Sequence, residues 1–272
     1  MRVLKGVDVA RAINEDIKQR LSESGRTPRL SIVRIGARPD DLSYERGIIK
    51  KMDSLGIEAM VHEFSDDISG EGFIKAFSEI NNDSSVDGIL CFMPMPRQID
   101  AARVAELINP EKDMDGISPI NQAKVYAGDK SGYAPCTAEA VVALLDHFNI
   151  DVTGKRVTVI GRSLVIGRPV SMLLMQKNAT VTICHTRTED VAEECRRADI
   201  IIAAAGVPKM VTEEYISDGA IVIDVGIHVD EDGSICGDVN FDAVSARCEA
   251  ITPVPGGVGS VTTSILAKHL VR

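Results

Sequence analysis

The stretch KRVTVIGRSLVIGRP, residues 155–169, decides how the rest of the chain is read. Val157, Thr158, Val159 and Ile160 are four apolar or β-favouring residues in a row, the composition of a short buried strand. Gly161 stops that strand, and Gly167-Arg168-Pro169 opens a helix continued by Met172, Leu173, Leu174 and Met175. Strand, glycine-bounded loop and helix N-terminus together make an anion site. The unpaired N–H groups of the first turn and the positive end of the helix dipole point at whatever lies over the loop. The spacing, Gly161-x-Ser163-x-x-x-Gly167, matches the G-x-G-x-x-G dinucleotide pattern only loosely. An ordinary βα turn using glycine for positive φ accounts for the same residues.

The chain beyond Pro169 favours the dinucleotide reading. Ala179–Cys184, Asp199–Gly206 and Gly219–Gly226 are three further buried strands, two of them closing on glycine at the edge where a cofactor would lie. In such a fold the end of the second strand meets the adenosine ribose, where an acid bonds a free 2′-OH and an arginine accommodates a 2′-phosphate. Here Arg187 and, from the first loop, Arg162 are the nearest candidates, while Glu189 and Asp190 come later. The pattern points to NADP, with NAD as the alternative. His185 is either a cofactor contact or a surface histidine. Ile251–Gly259 packs two prolines and three glycines into a tight loop able to press main-chain groups against a ligand, and a final helix runs from about Val261 to Leu270.

The first half of the chain alternates in the same way. Val9, Ile13, Ile17 and Leu21 recur at helical spacing, and strands are read at Leu30–Ile35, Ile57–Phe64 and Val86–Phe92 with helices between them. Such alternation implies parallel strands with right-handed crossovers, and ligands beyond the strand C-termini. Two places therefore matter: the helix over 41–55, and the loop Met93-Pro94-Met95-Pro96. On that helix Tyr44, Gly47, Ile48, Lys51 and Leu55 share one face by spacing. Tyr44 is there either a half-buried aromatic or a platform for a flat ligand ring. Asp113 and Asp115 stand two apart in a turn-rich segment, with no histidine or third acid at ligand spacing, so metal is not expected. Thr137 is the expected N-cap of a long helix through Phe148, a candidate bridge between two domains.

Length and composition set the frame. The 272 residues suffice for two domains, and a net charge of −10 argues against a nucleic-acid or anionic-membrane surface. No long apolar run is present, and the six cysteines (91, 136, 184, 195, 236, 248) include no C-x-x-C pair. That usage is expected of a reduced, cytoplasmic compartment.

KDMDG at 112–116, PCT at 135–137, GRSxxxGRP at 161–169, DVG at 224–226 and TPVPGGVG at 252–259 occur in order. Across essentially its whole length the chain resembles the bifunctional methylenetetrahydrofolate dehydrogenase/methenyltetrahydrofolate cyclohydrolase family. The resemblance implies a two-domain α/β fold: a parallel-sheet catalytic domain over 1–136, a Rossmann-type NAD(P)-binding domain over 137–259, an active-site cleft between them, and a C-terminal helix over 260–272 packing back on the first domain. It implies tetrahydrofolate one-carbon derivatives as substrates and a homodimer. It places the pterin against Tyr44, held by Asp115 and by Pro255, Gly256, Gly257 and Val258. Dinucleotide contacts would come from Gly161, Arg162, Ser163, Thr186 and Ile227, beside the Gly167 helix start.

Two departures fall in the family's reaction centre. The family pattern Tyr-x-x-x-Lys reads Tyr44-x-x-x-Ile48 here, and the family's Gln-Leu-Pro-Leu-Pro loop begins with Phe92. Ser260 stands where the family commonly has proline. Hydride transfer needs mainly orientation, with donor and acceptor carbons about 3–3.5 Å apart. Hydration of the methenyl cation gains about 10²–10⁴-fold from positioned acid–base groups. The sequence thus predicts a working dehydrogenase with weak or absent cyclohydrolase activity. The alternatives are a full bifunctional enzyme with a rearranged base such as Lys51, a non-catalytic folate-binding module, or another two-domain dehydrogenase.

Overall fold

In the computed structural model, which describes residues 1–230 and 233–272, the chain forms two compact α/β units. In chain order the strands are Arg2–Val3 (β1), Arg29–Ile35 (β2), Glu58–Phe64 (β3), Gly88–Cys91 (β4), Arg156–Ile160 (β5), Thr180–Cys184 (β6), Ile200–Ala203 (β7), Ile221–Asp224 (β8), His228–Val229 (β9), Ile235–Cys236 (β10) and Ala250–Ile251 (β11).

One unit comprises Ile13–Cys136 and Thr263–Arg272. Its sheet has the order β3-β2-β4, all parallel, with Ile32 opposite both Val61 and Leu90. The central strand is buried along nearly its whole length, as expected for a parallel strand covered on both faces. Phe73, Phe77, Val33, Ile89 and Val104 form the core on one side. The helix Pro39–Leu55 starts with proline in its first turn, two acids beside it, and ends on Gly56 at φ 76°. Its buried row is Glu45, Ile48, Met52 and Leu55. The face read from spacing is therefore split: Ile48 and Leu55 enter the core, whereas Tyr44 and Gly47 are exposed. Glu45 can join the buried row because Arg34, itself 3% exposed, bonds it at 2.7 Å.

The other unit comprises Met1–Ala12 and Thr137–Thr262. Its six strands run in the order β1-β11-β8-β7-β5-β6, every pairing parallel. The first twelve residues group with this unit. The reason is that β1 pairs with β11, Arg2 opposite Ala250, so a two-residue strand completes the sheet edge. The opposite edge is β6, whose Val181 and Ile183 are half-buried. Ile201, Ala203, Val222, Val244 and Ile251 fill the core. The helix Cys136–His147 starts one residue before the expected cap, so Thr137 lies inside its first turn.

Candidate active site

The Gly161 loop leaves the C-terminal end of β5 and enters the helix Gly167–Gln176. Gly161 sits at φ 122°, and a Cβ there would overlap the carbonyl oxygen of Ala204. A Cβ on Gly167 would overlap the carbonyl of Gly161 itself. Both glycines are thus required by close backbone approach, one from Ala204 just after β7 and one from the helix folding back on the turn. The loop is braced by Ser163, whose Oγ accepts from Ile166 N at 3.1 Å and whose carbonyl accepts from Arg168 N at 3.1 Å. Arg162, Ser163, Leu164 and Val165 line its outer side, all four exposed. An arginine ahead of a ten-residue helix suits a phosphate-bearing ligand.

The turn after β6 is built on itself. His185 N donates to Thr188 Oγ1 at 2.9 Å, and Arg187 N donates to the His185 ring Nδ1 at 3.1 Å. That bond sets the tautomer, leaving the proton on Nε2. Thr186 and Arg187 are exposed and His185 half-buried. At the end of β8, Ile227 is 70% exposed.

The TPVPGGVG segment is held by the chain's first residues. Leu4 N donates to Ile251 O and Gly6 N to Gly256 O, each at 2.8 Å. A Cβ on Gly6 would overlap the Gly257 carbonyl. Val254–Pro255 is a cis peptide, as is Met93–Pro94. Pro255 and Gly256 are exposed, Gly257 and Val258 buried. Thr252 Oγ1 accepts from Asp224 N at 2.7 Å and so ties this loop to the end of β8.

In the unit holding residues 13–136, Tyr44 is 44% exposed and lies against Phe92, which is 7% exposed. Ile48, one turn on, is fully buried, so that position presents no polar group and no accessible surface. Lys51 is half-buried, and burial followed by the like charge of Lys18 lowers its ammonium from the usual range. The paired acids have separate jobs. Asp113 is buried and accepts from Ile117 N (2.9 Å), Ser118 N (2.8 Å) and Asn121 Nδ2 (2.9 Å), which shapes the turn. Asp115 is half-buried and accepts from Cys136 N at 2.8 Å. Burial raises its carboxyl above the usual range, against the Cys136 N–H that pulls it down. His269 of the C-terminal helix shares the Met114 carbonyl with Cys136, its Nδ1 at 2.8 Å. Sequence reasoning missed His269, for which a lone histidine near the terminus offers no signal. Among the described residues no group of acids, histidines and cysteines has the arrangement of a metal site, and no helix is long and apolar enough to cross a membrane.

Two family profiles cover the chain. The catalytic domain of tetrahydrofolate dehydrogenase/cyclohydrolase matches residues 4–115, and its NAD(P)-binding domain matches residues 135–272. The chain belongs to the tetrahydrofolate dehydrogenase/cyclohydrolase family. It is 52% identical to the bifunctional protein FolD of Clostridioides difficile, over 100% of this chain and 96% of that one. The crystal structure of a bifunctional FolD methylenetetrahydrofolate dehydrogenase/cyclohydrolase from Campylobacter jejuni superposes with a TM-score of 0.97 at 36% identity, covering 100% and 97% of the two chains. A Trypanosoma brucei FolD, solved with NADP and an inhibitor, gives 0.92 at 36% identity over 98% and 95%. Family membership makes this an NAD(P)-binding enzyme fold of one-carbon folate metabolism. The names of these relatives back the full bifunctional alternative better than the expectation of a weak or absent cyclohydrolase.

Proposed function

We propose that this chain oxidises 5,10-methylenetetrahydrofolate with NADP and then opens the methenyl product to 10-formyltetrahydrofolate. The observation that carries the reading is the conjunction, within one chain of this family, of a Gly161–Gly167 phosphate loop and an exposed Tyr44 backed by Phe92. Tyr44 supplies the face for the pterin, Asp115 an acceptor for its ring N–H groups, and Pro255–Val258 a backbone wall. Gly161, Arg162, Ser163, Thr186, Arg187, His185 and Ile227 are assigned to the dinucleotide, with Arg162 and Arg187 suited to a 2′-phosphate. Bound NADP would supply the hydride acceptor; the chain's own task in that step is orientation. Lys51, with its lowered ammonium, is the candidate base for the hydration. A homodimer in the cytoplasm completes the reading, and light scattering tests the dimer.

A second reading is favoured by one specific observation. Ile48 and Phe92 put two apolar side chains where the family carries lysine and glutamine, and Ile48 is wholly enclosed. On that reading the dehydrogenase works alone. One assay separates the two: methylenetetrahydrofolate is supplied with NADP or NAD, and absorbance follows the methenyl product. Supplied methenyltetrahydrofolate decaying well above the buffer rate supports both activities. Methenyl product that accumulates at its chemical decay rate leaves only the dehydrogenase, and no reduction of either cofactor overturns the proposal.

A further inference from the structure

We infer that Asp238 and His228 are positioning residues of the cofactor site, holding rigid the two loops that display Val207 and Ile227. The inference rests on the dinucleotide reading of this unit and adds residues that reading does not contain.

Asp238 is completely buried. Its Oδ2 accepts from Ala205 N at 2.6 Å and Gly206 N at 3.0 Å, and its Oδ1 from Val207 N at 3.0 Å. The ring Nε2 of His228 lies 2.7 Å from the same Oδ1. An ionised carboxylate has only about four lone-pair directions, so these four donors saturate it. Asp224 stands behind it, accepting from Gly226 N, Asp238 N and Val239 N, each at 3.0 Å. The two carboxylates come this close to the backbone only because Gly226 and Gly237 lack side chains. A Cβ on Gly226 would overlap Asp238, and one on Gly237 would overlap Asp224.

The consequence falls on residues between these anchors. Ile227 has its N-terminal neighbour fixed to Asp224 and its C-terminal neighbour fixed to Asp238. Val207 is fixed through its own N–H. Both are exposed, at 70% and 48%, and both follow strands (β8 and β7) at the edge where Gly161 leaves β5. Ala204, beside the first of these loops, is the residue whose carbonyl touches Gly161. Single exposed apolar residues are common. What sets this pair apart is that buried charge holds both in place, as a preformed apolar wall for a flat ring requires. His228 closes the arrangement, since its side chain joins the Ile227 loop to the carboxylate that holds the Val207 loop.

The test compares His228→Ala with His228→Gln, whose amide N–H keeps a donor at similar reach. Calorimetric titration with NADP gives Kd, steady-state assays give both KM values, and thermal melting monitors the fold. His228→Ala is expected to weaken NADP binding about tenfold, the cost of ordering the loosened Ile227 loop on binding. The KM for methylenetetrahydrofolate and kcat at saturating NADP should stay within about twofold. His228→Gln should recover most of the NADP affinity. A fall in melting temperature with NADP Kd unchanged would make the network merely structural and overturn the inference, as would equal changes in both KM values. Wild-type protein that binds no NADP fails the dinucleotide reading itself, a result visible before any variant is made.

Discussion

The ring of Phe92 lies 5.5 Å from that of Tyr44, the two planes tilted by 36°. Phe92, 7% exposed, is the side chain that backs the exposed face of this tyrosine. Phe92→Gln should therefore do two things at once. It should raise hydrolysis of methenyltetrahydrofolate by at least about tenfold, a conservative share of acid–base assistance. It should also lower stability by about 1–3 kcal/mol through lost burial, read from urea unfolding. A stable variant with no gain in hydrolysis would show that this position does not limit the second step.

Ile48→Lys separates polarity from position. Because Ile48 is fully enclosed, a lysine there must either be buried neutral or break the packing around it. The expected cost is about 3 kcal/mol or more. Denaturant midpoints check it, and an unchanged midpoint would mean that the helix can turn this residue outward.

Arg34 and Glu45 form a buried ion pair at 2.7 Å, with Glu63 as a second, exposed partner of the arginine. Removing Arg34 leaves Glu45 without compensation, whereas removing Glu45 leaves the arginine with the exposed Glu63. Glu45→Ala should cost about 3 kcal/mol, the low end for a broken buried pair, whereas replacing both by apolar residues of similar size should cost less than either single change. A double-mutant cycle in urea measures this. Since Glu45 adjoins Tyr44 on the same helix, Glu45→Ala should also weaken folate binding while leaving NADP binding unchanged.

Asp224 makes stability depend on pH. Burial, which outweighs three N–H donors, holds its carboxyl up at about 6. In the unfolded chain an aspartate titrates at about 3.9. Between these values the native state binds more protons than the unfolded state. The contribution of this group is therefore full below the lower value and is lost as pH rises through about 6. The melting temperature of Asp224→Asn should lie below that of the wild type in acid, and the gap should narrow as pH rises through that range. A gap that widens towards neutral pH would reverse the assignment.

Gly167→Ala tests the loop. Its Cβ would overlap the Gly161 carbonyl, so the turn must open before the helix can begin. NADP affinity should fall at least about tenfold with folate affinity unchanged, since the clash lies wholly within the Gly161–Gly167 loop. Separate titrations with the two ligands check this.

Local chemistry determined much of this protein. Three apolar residues and a threonine before Gly161, proline in the first turn of the 39–55 helix and glycine after it specify elements through forces that act within a few residues. The alternation of strand and helix specifies parallel sheets for the same reason, and TPVPGGVG carried the family. Only the tertiary structure decided which face of a helix is buried and which distant residues share a carboxylate. Spacing puts Tyr44 and Ile48 on one side of a cylinder, but Arg34, eleven residues before Glu45, rotates the buried row towards Glu45 by neutralising it. Likewise β1 completes its sheet by pairing with β11 near the other end of the chain, and Asp238 accepts from Ala205, Gly206 and Val207, more than thirty residues earlier; such contacts are made by the folded unit and encoded in no short stretch.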